Sequence, residues 1–152
     1  MVPRDKLLLS FVASAALIGT ALAQPVAEGG RKFTTSLSGA AELAGGAETA
    51  DTDGTGTARI IVNVGQRRVC WEITTSNLDP TAGAHIHVGE ADDTGDIVVT
   101  LAATANGTNS SCTTTPLNRQ LLRNIIQNPH EYYVNVHTTA YPGGAIRGQL
   151  GK

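Results

Sequence analysis

The sequence feature that most constrains the fold is residues 131–150, EYYVNVHTTAYPGGAIRGQL, in which two alternating stretches flank a turn sequence. In residues 132–137 apolar and polar side chains alternate with a period of two, which is typical of a β-strand with one face in a core. Residues 145–150 alternate again. Pro142-Gly143-Gly144 lies between the stretches and supplies the fixed φ and the positive-φ freedom that a chain reversal needs. The segment is therefore predicted to be a β-hairpin.

A second alternating stretch, AHIHV at residues 84–88, repeats this pattern. Ile86 points to one face, whereas His85 and His87 share the other face. His137 lies on the corresponding polar face of the first hairpin strand. Three histidines are therefore predicted to lie on outward faces of strands.

Residues 1–23 have the composition of a signal peptide. After a basic start, residues 7–22 are largely apolar, and Ala21-Leu22-Ala23 fits the small-x-small pattern at which signal peptidase cleaves. An uncleaved anchor is the alternative, but the polar and small residues within the apolar stretch favour cleavage. We therefore expect a mature protein that begins at Gln24 and is secreted or periplasmic.

The remaining 129 residues are only weakly charged. Removal of the signal peptide takes away two basic residues and one acidic residue, which leaves a net charge of about −3. A charge this small and mixed predicts neither nucleic acid nor an anionic membrane as a partner. The length suits one domain, and we expect a flexible lead-in at residues 24–32 followed by a domain at residues 33–151.

The chain contains two cysteines, Cys70 and Cys112. In an exported protein the expected state of such a pair is a disulfide, here closing a loop of roughly 40 residues and worth on the order of 3–4 kcal/mol. The alternative is a pair of metal thiolates. It is disfavoured because the cysteines are far apart and neither belongs to a short metal-binding cluster.

The rest of the chain is predicted to form short strands separated by turns. Residues 57–64 and 68–75 alternate strongly and are joined by a short link, which predicts a second hairpin. Residues 42–56 lack apolar periodicity and are predicted to be a long surface connection, and residues 104–114 a polar loop. Further strands are predicted at residues 33–37 and 97–102.

One helix is predicted, between the polar loop and the C-terminal hairpin. Thr115-Pro116 resembles an N-cap followed by proline at the first helical position, and apolar residues then repeat at helical spacing until Asn128-Pro129. Arg119 and Arg123 fall on the outward face of this amphipathic helix. About seven strands and one short helix predict an all-β fold, a Greek-key antiparallel β-barrel or sandwich.

Three segments together resemble the CHRD domain family, which is named after chordin and also found in exported bacterial proteins. They are AHIHVG at residues 84–89, TGDIVVTL at residues 94–101 and YYVNVHTTAYPGGAIRGQL at residues 132–150, and the resemblance extends over roughly residues 33–150. The family is distantly similar to Cu/Zn superoxide dismutase, a Greek-key β-barrel in which a His-x-His strand and a later histidine bind copper. The resemblance therefore implies a superoxide dismutase-like barrel.

By this resemblance, His85 and His87 correspond to the His-x-His pair and His137 to the later histidine, so these three are the implied copper ligands. The chain departs from the dismutase pattern in other respects. Residues 89–96 contain no histidine to hold zinc, a glycine or an alanine stands where the arginine that guides superoxide should lie, and the cysteine of the last strand is missing. These departures argue against enzymatic dismutation and leave a three-histidine copper site.

Strand geometry permits such a site independently of the resemblance. Histidines two apart on one strand lie roughly 7 Å apart at Cα on the same face, close enough for both rings to reach one ion, and a neighbouring strand can supply a third. Imidazole suits copper or zinc. The alternative is that the rings lie on a solvated or loop-covered face and hydrogen-bond to the backbone or to polar neighbours. The choice depends on whether the two strands are adjacent.

Tyr133, Asn135 and Arg147 share the outward face and are predicted to form an exposed patch that could bind a protein or a glycan. For Arg147 a structural role, paired with Glu131 or with an acidic loop residue, is favoured over binding because cross-strand charge pairs are common. A nucleophile, a base and an orienting acid do not occur at a recognisable spacing, so hydrolase chemistry has no support.

We therefore interpret the chain as an exported protein with a single CHRD domain and a binding or structural role, and not as an enzyme. Its expected partner is an extracellular protein or a glycan, with no nucleic acid and no membrane span after cleavage. One alternative is a copper-binding or copper-only superoxide-handling protein that uses the three histidines. The other is an adhesion or matrix-associated module.

Overall fold

The computed structural model describes residues 29–151. The predicted signal peptide, residues 1–23, lies outside the described residues, as does most of the predicted lead-in. The first strand begins at Arg31, so the last two residues of the predicted lead-in are already strand.

Eight strands form a single antiparallel sheet that curls into a nearly closed barrel. They are β1 Arg31–Ser38, β2 Thr55–Asn63, β3 Arg68–Ser76, β4 Thr81–Val88, β5 Ile97–Leu101, β6 Thr108–Cys112, β7 Tyr132–Thr138 and β8 Ile146–Gln149. Their order in the sheet is β5-β4-β7-β8-β1-β2-β3-β6. Because β7 follows β6 by a long connection and yet lies beside β4, the connection is of the Greek-key type. The predicted all-β barrel is confirmed.

The barrel has its seam between β5 and β6, the two ends of this order. A groove of about 750 Å³ runs along the seam and is lined by residues of both strands. Cys70 on β3 and Cys112 on β6 are opposite each other in register and are joined by a disulfide. Nearby, the indole N–H of Trp71 donates to Asn109 Oδ1 over 3.0 Å. The predicted disulfide is therefore present, and it fastens the edge strand to its neighbour.

The core follows from the period-two patterns of the strands. In β2 and β3 the apolar positions point inward and lie opposite one another, as Ile60 does with Trp71. Each fully buried Val, Ile or Leu contributes roughly 1.5–3 kcal/mol through removal of apolar surface from water. Large buried side chains of the core include Phe33, Leu37, Ile60, Trp71, Ile73, Ile86, Leu122, Ile125, Tyr132, Ile146 and Leu150.

Strand β7 is buried on both faces, although its alternation predicts one buried face and one outward face. Five consecutive residues, 132–136, are buried. The outer face is covered by helix α1, Gly39–Ala44, and by the loop of residues 89–96. The prediction that residues 42–56 form only a surface connection is therefore wrong at its start. Helix α1 begins at the N-cap Ser38, whose hydroxyl accepts from the amide of Ala41, and it packs on β8.

Helix α2, Arg119–Gln127, begins three residues later than predicted, since Thr115 was the expected N-cap and Pro116 the expected first helical residue. Its N-cap is Asn118, whose side chain accepts from the amide of Gln120. Leu117 is held outside the helix, because its amide donates to Arg67 O and its carbonyl accepts from the Arg67 side chain. Within residues 29–151, no helix has the length and apolar composition needed to cross a membrane.

Strand β6 lies within residues 104–114, which were predicted to be a polar loop. Its sequence, TNSSC, has no apolar alternation. As the strand at the seam it pairs with β3 through its main chain, and its side chains are exposed or half-buried. Main-chain pairing does not depend on side-chain polarity, so the sequence carried no strand signal.

Candidate metal centre

The fold brings the three predicted histidines together. Strands β4 and β7 are adjacent and antiparallel, and His85 lies opposite Asn135 in the ladder while His137 lies opposite Gly83. His85, His87 and His137 therefore share one face of two neighbouring strands. One ring nitrogen from each lies within 4.8 Å of the others, and this is the one such cluster found in residues 29–151. The ring centroids of His85 and His137 are 4.9 Å apart.

Hydrogen bonds orient two of the three rings. The Nδ1–H of His87 donates to the carbonyl of Gly95 over 2.8 Å, and the Nδ1–H of His137 donates to the carbonyl of Pro142 over 3.0 Å. A carbonyl oxygen only accepts, so Nδ1 carries the proton in each neutral ring and Nε2 keeps its lone pair. In metal sites, a hydrogen-bond acceptor at the second ring nitrogen commonly orients the binding histidine, and these two carbonyls are in that position.

Each of the three rings has one buried nitrogen without a partner. Nε2 of His87, Nε2 of His137 and Nδ1 of His85 have no hydrogen-bond partner within the described residues. A buried polar atom without a partner costs roughly 1–3 kcal/mol, so three of them in one cluster of histidines call for an explanation.

The cluster favours neutral imidazoles. Burial lowers the pKa of His85 to about 4, and the neighbouring His137 and His87 add to the shift. The pKa of His137 is also lowered, first by burial, although its hydrogen bond to Pro142 opposes the shift. Since a metal binds the unprotonated ring, the site needs to lose no proton from these two residues near neutral pH.

The spacing of the three rings is close to what one metal ion requires. Two nitrogens that bind the same ion at ~2.1 Å lie at most about 4.2 Å apart, and the three nitrogens here lie within 4.8 Å of one another. Three imidazoles suit copper or zinc and leave a coordination position open. The alternative prediction, that the rings bond only to the backbone and polar neighbours, accounts for Nδ1 of His87 and His137 but not for the three partnerless nitrogens.

The predicted exposed binding face of Tyr133, Asn135 and Arg147 is wrong. The three side chains lie on the predicted face of the sheet, but they are only 3%, 2% and 1% exposed. Helix α1 and the loop of residues 89–96 cover them, an arrangement that the alternation of one strand does not reveal. Tyr133 instead stacks on His87, with ring centroids 4.9 Å apart and planes 9° apart.

Arg147 contacts main-chain carbonyls of the loop of residues 89–96, in place of the expected charge pair with Glu131 or an acidic loop side chain. Its guanidinium donates to the carbonyls of Asp93, over 2.7 Å, and of Glu90, and lies 3.3 Å from the centre of the Tyr133 ring. Gln149, two residues further along β8, donates to the carbonyl of Gly89. Burial lowers the pKa of Arg147, whereas interactions with Tyr133 and Glu42 raise it. Side chains of strand β8 therefore hold the loop of residues 89–96 through the loop's main-chain carbonyls.

That loop connects Arg147 to the histidine cluster. Gly95, within the loop, accepts from His87, and its amide donates to the hydroxyl of Tyr133. The sequence indicates only that the loop is acidic. The roles of Gly95 and Pro142 are not visible in it, because a carbonyl acceptor leaves no trace in residue type.

Glu42 is a buried residue beside the histidine cluster that the sequence prediction missed. It lies on α1, is 3% exposed and packs against Gly144 of the hairpin turn. Burial raises its pKa to about 7, although Arg147 and a hydrogen bond with Asn135 oppose the shift. The available signal was Ser38 followed by Ala40, Ala41 and other good helix formers, which is an N-cap and a short helix.

Comparison with known proteins assigns the family. A family model, the CHRD domain, matches residues 33–150. The chain belongs to the CHRD family. No curated protein and no solved structure matches the chain. The CHRD domain therefore spans all eight strands apart from the first two residues of β1, and it contains the histidine cluster, Glu42 and both cysteines.

The CHRD domain and its disulfide both fit an extracellular protein. The departures from the dismutase pattern are also visible in the site. The loop of residues 89–96 offers Gly95 as a carbonyl acceptor and no imidazole, and Arg147 is buried against Tyr133. The cluster is thus a three-histidine arrangement.

Proposed function

We propose that this CHRD protein is exported and binds a copper ion through His85, His87 and His137. The observation that carries the proposal is that His85, His87 and His137, on two adjacent strands, each bring one ring nitrogen within 4.8 Å of the others, and that each ring also holds a buried nitrogen without a partner. Low pKa values for His85 and His137 keep those rings ready to bind.

Copper is proposed in preference to zinc for two reasons. Divalent copper binds a given set of nitrogen ligands more tightly than divalent zinc does. The resemblance to the dismutase barrel also implies copper at these three positions. When bound, copper would supply one-electron redox chemistry, while the protein's own residues orient the rings through Gly95 and Pro142 and shield His87 with Tyr133.

The test is a Cu(II) titration of the metal-free mature protein, followed by electron paramagnetic resonance. The wild type is compared with a His85→Ala, His87→Ala, His137→Ala variant and with His130→Ala, which removes an exposed histidine outside the cluster. We expect one equivalent of Cu(II) with nitrogen hyperfine structure in the wild type and in His130→Ala, and loss of that signal in the triple variant. Equal weak binding by all three proteins would refute the proposal.

Export is supported by the disulfide and by the signal-peptide pattern of residues 1–23. The intact mass of the protein recovered from outside the cytoplasm should correspond to a chain that begins at Gln24. Recovery of the full-length chain in the cytoplasm, with both thiols free, would contradict export. Superoxide handling, adhesion and binding to an extracellular protein or glycan remain predictions from the sequence.

A further inference from the structure

A cavity of about 400 Å³ adjoins the histidine cluster on the side of His87. It lies between α1, the loop of residues 89–96 and strand β7. Its walls include Glu42 from α1 and Glu48 from the segment that follows α1. Tyr133 and Asn135 from β7 also line the cavity. The cavity therefore leads from His87 to the protein surface. Its other lining residues are not proposed metal ligands of the histidine site.

The inner wall of this cavity includes three polar atoms without a partner. Glu42 Oε2, Asn135 Oδ1 and His87 Nε2 are buried and have no partner in the described residues. Glu42 and Asn135 are each more than nine-tenths buried. Partnerless acceptors are satisfied either by a ligand that brings donors or by a cation.

The charges around the cavity favour a cation. Of the described residues that line it, Glu42 and Glu48 can be negative, and none is a lysine or an arginine. Glu48 is exposed, and the bordering loop carries four more exposed acidic residues, namely Glu90, Asp92, Asp93 and Asp96. The nearest cationic side chain, Arg147, is occupied by the carbonyls of Glu90 and Asp93 and by the Tyr133 ring.

We propose that this cavity is the path by which a metal cation reaches the histidines, with Glu48 as the outer oxygen ligand and Glu42 and Asn135 as the inner ones. The inference rests on the proposed copper site. Carboxylate and amide oxygens bind a partly hydrated cation, and imidazole nitrogens then bind copper more tightly, so transfer inward is favourable. The same negative field concentrates cations and repels small anions. The path therefore suits acquisition of a metal ion better than turnover of an anionic substrate.

The test is stopped-flow loading of Cu(II) into the metal-free protein at low and at high salt. The loading is measured above pH 7, where the Glu42 carboxyl group is ionised. Under these conditions Glu48→Gln and Glu42→Gln each remove one carboxylate of the path, and Asp79→Asn serves as the control because it removes an exposed carboxylate that does not line the cavity. We expect each glutamine variant to load roughly 3- to 10-fold more slowly at low salt, with a weaker salt dependence, and Asp79→Asn to match the wild type. The final paramagnetic resonance spectrum should be unchanged, which shows that the histidine site is intact.

Wild-type loading rates in both glutamine variants would overturn the path and would mean that copper reaches the histidines directly at the half-exposed rings of His85 and His137. Slow loading with an altered spectrum would also overturn it, because the variants would then have changed the site itself. Failure of the wild type to bind Cu(II) at equilibrium would remove the copper site and the path together. Normal equilibrium binding of Cu(II) with unchanged loading rates in the variants would refute the proposed path and leave the proposed copper site intact.

A second measurement tests the discrimination against anions. Azide is added to the copper-loaded proteins, and its binding is followed by the absorption change that it causes. Glu48→Gln and Glu42→Gln should bind azide at least 2- to 3-fold more tightly than the wild type and Asp79→Asn, because the repulsive field is weaker. Equal azide affinities in all four proteins would contradict the electrostatic part of the proposal.

Discussion

Gly144 shows how a single residue joins the hairpin turn to the site. Its φ is +142°, a conformation that residues with a side chain rarely adopt, and a Cβ at this position would overlap the Glu42 carboxyl group. We expect Gly144→Ala to lower the free energy of unfolding by about 2–4 kcal/mol in a denaturant titration. The neighbouring Gly143 has no atom within 4 Å of such a Cβ, so Gly143→Ala should stay within about 0.5 kcal/mol of the wild type. Equal effects at the two positions would contradict this account.

Glu42 makes stability depend on pH. Burial raises its pKa from 4.5 to about 7, so between these values the folded state holds a proton that the unfolded chain has released. Stability from this group is therefore present below pH 4.5 and is lost as the pH rises to 7. We expect the free energy of unfolding of the wild type, relative to that of Glu42→Gln, to fall by about 2 kcal/mol from pH 5 to pH 7.5, with allowance for solvent screening. A difference that does not change with pH would show that the Glu42 carboxyl titrates normally.

At the scale of elements, the loop of residues 89–96 depends on strand β8. Arg147 spans two loop carbonyls and stacks on Tyr133, a set of contacts that one ammonium group cannot reproduce. Arg147→Lys should therefore cost about 2–4 kcal/mol, speed amide hydrogen exchange in the loop and loosen the Nδ1–H bond of His87 to Gly95. Nitrogen NMR of the histidine ring reports the last change in the metal-free protein.

Arg123→Lys is the matched control for that variant, because Arg123 is exposed on α2. It should leave loop exchange and the His87 ring signals as in the wild type. If Arg147→Lys also leaves them unchanged, β8 does not position the loop.

At the scale of the whole molecule, the disulfide fastens the strand at the barrel seam. Strand β6 is hydrogen-bonded on one side only, to β3, and Cys70–Cys112 links the pair across a sequence separation of 42 residues. We expect the double variant Cys70→Ser, Cys112→Ser to lose about 3–4 kcal/mol of stability and to show faster amide exchange in β6 than in β2. A double variant as stable as the wild type would mean that strand pairing alone closes this side of the barrel.

Much of the fold was predictable because alternation and turn chemistry are local. The hairpin strands, the polar face of His85, His87 and His137, and the pairing of the cysteines followed from spacing and residue type. The start of α2 was misplaced because the main chain of Leu117 bonds to Arg67, far away in the sequence. Strand β6 was missed because an edge strand with exposed side chains needs no apolar pattern.

By itself, the sequence determined which residues share a face, where the chain turns, and which family the domain resembles, because these depend on neighbours along the chain. Only the tertiary structure decided that β4 and β7 are adjacent, so that His137 meets His85 and His87. It also decided that α1 and the loop of residues 89–96 cover that face, which buries Glu42 and Arg147. Strand order and coverage arise from burial of apolar surface between distant segments, set against the entropy of closing long loops.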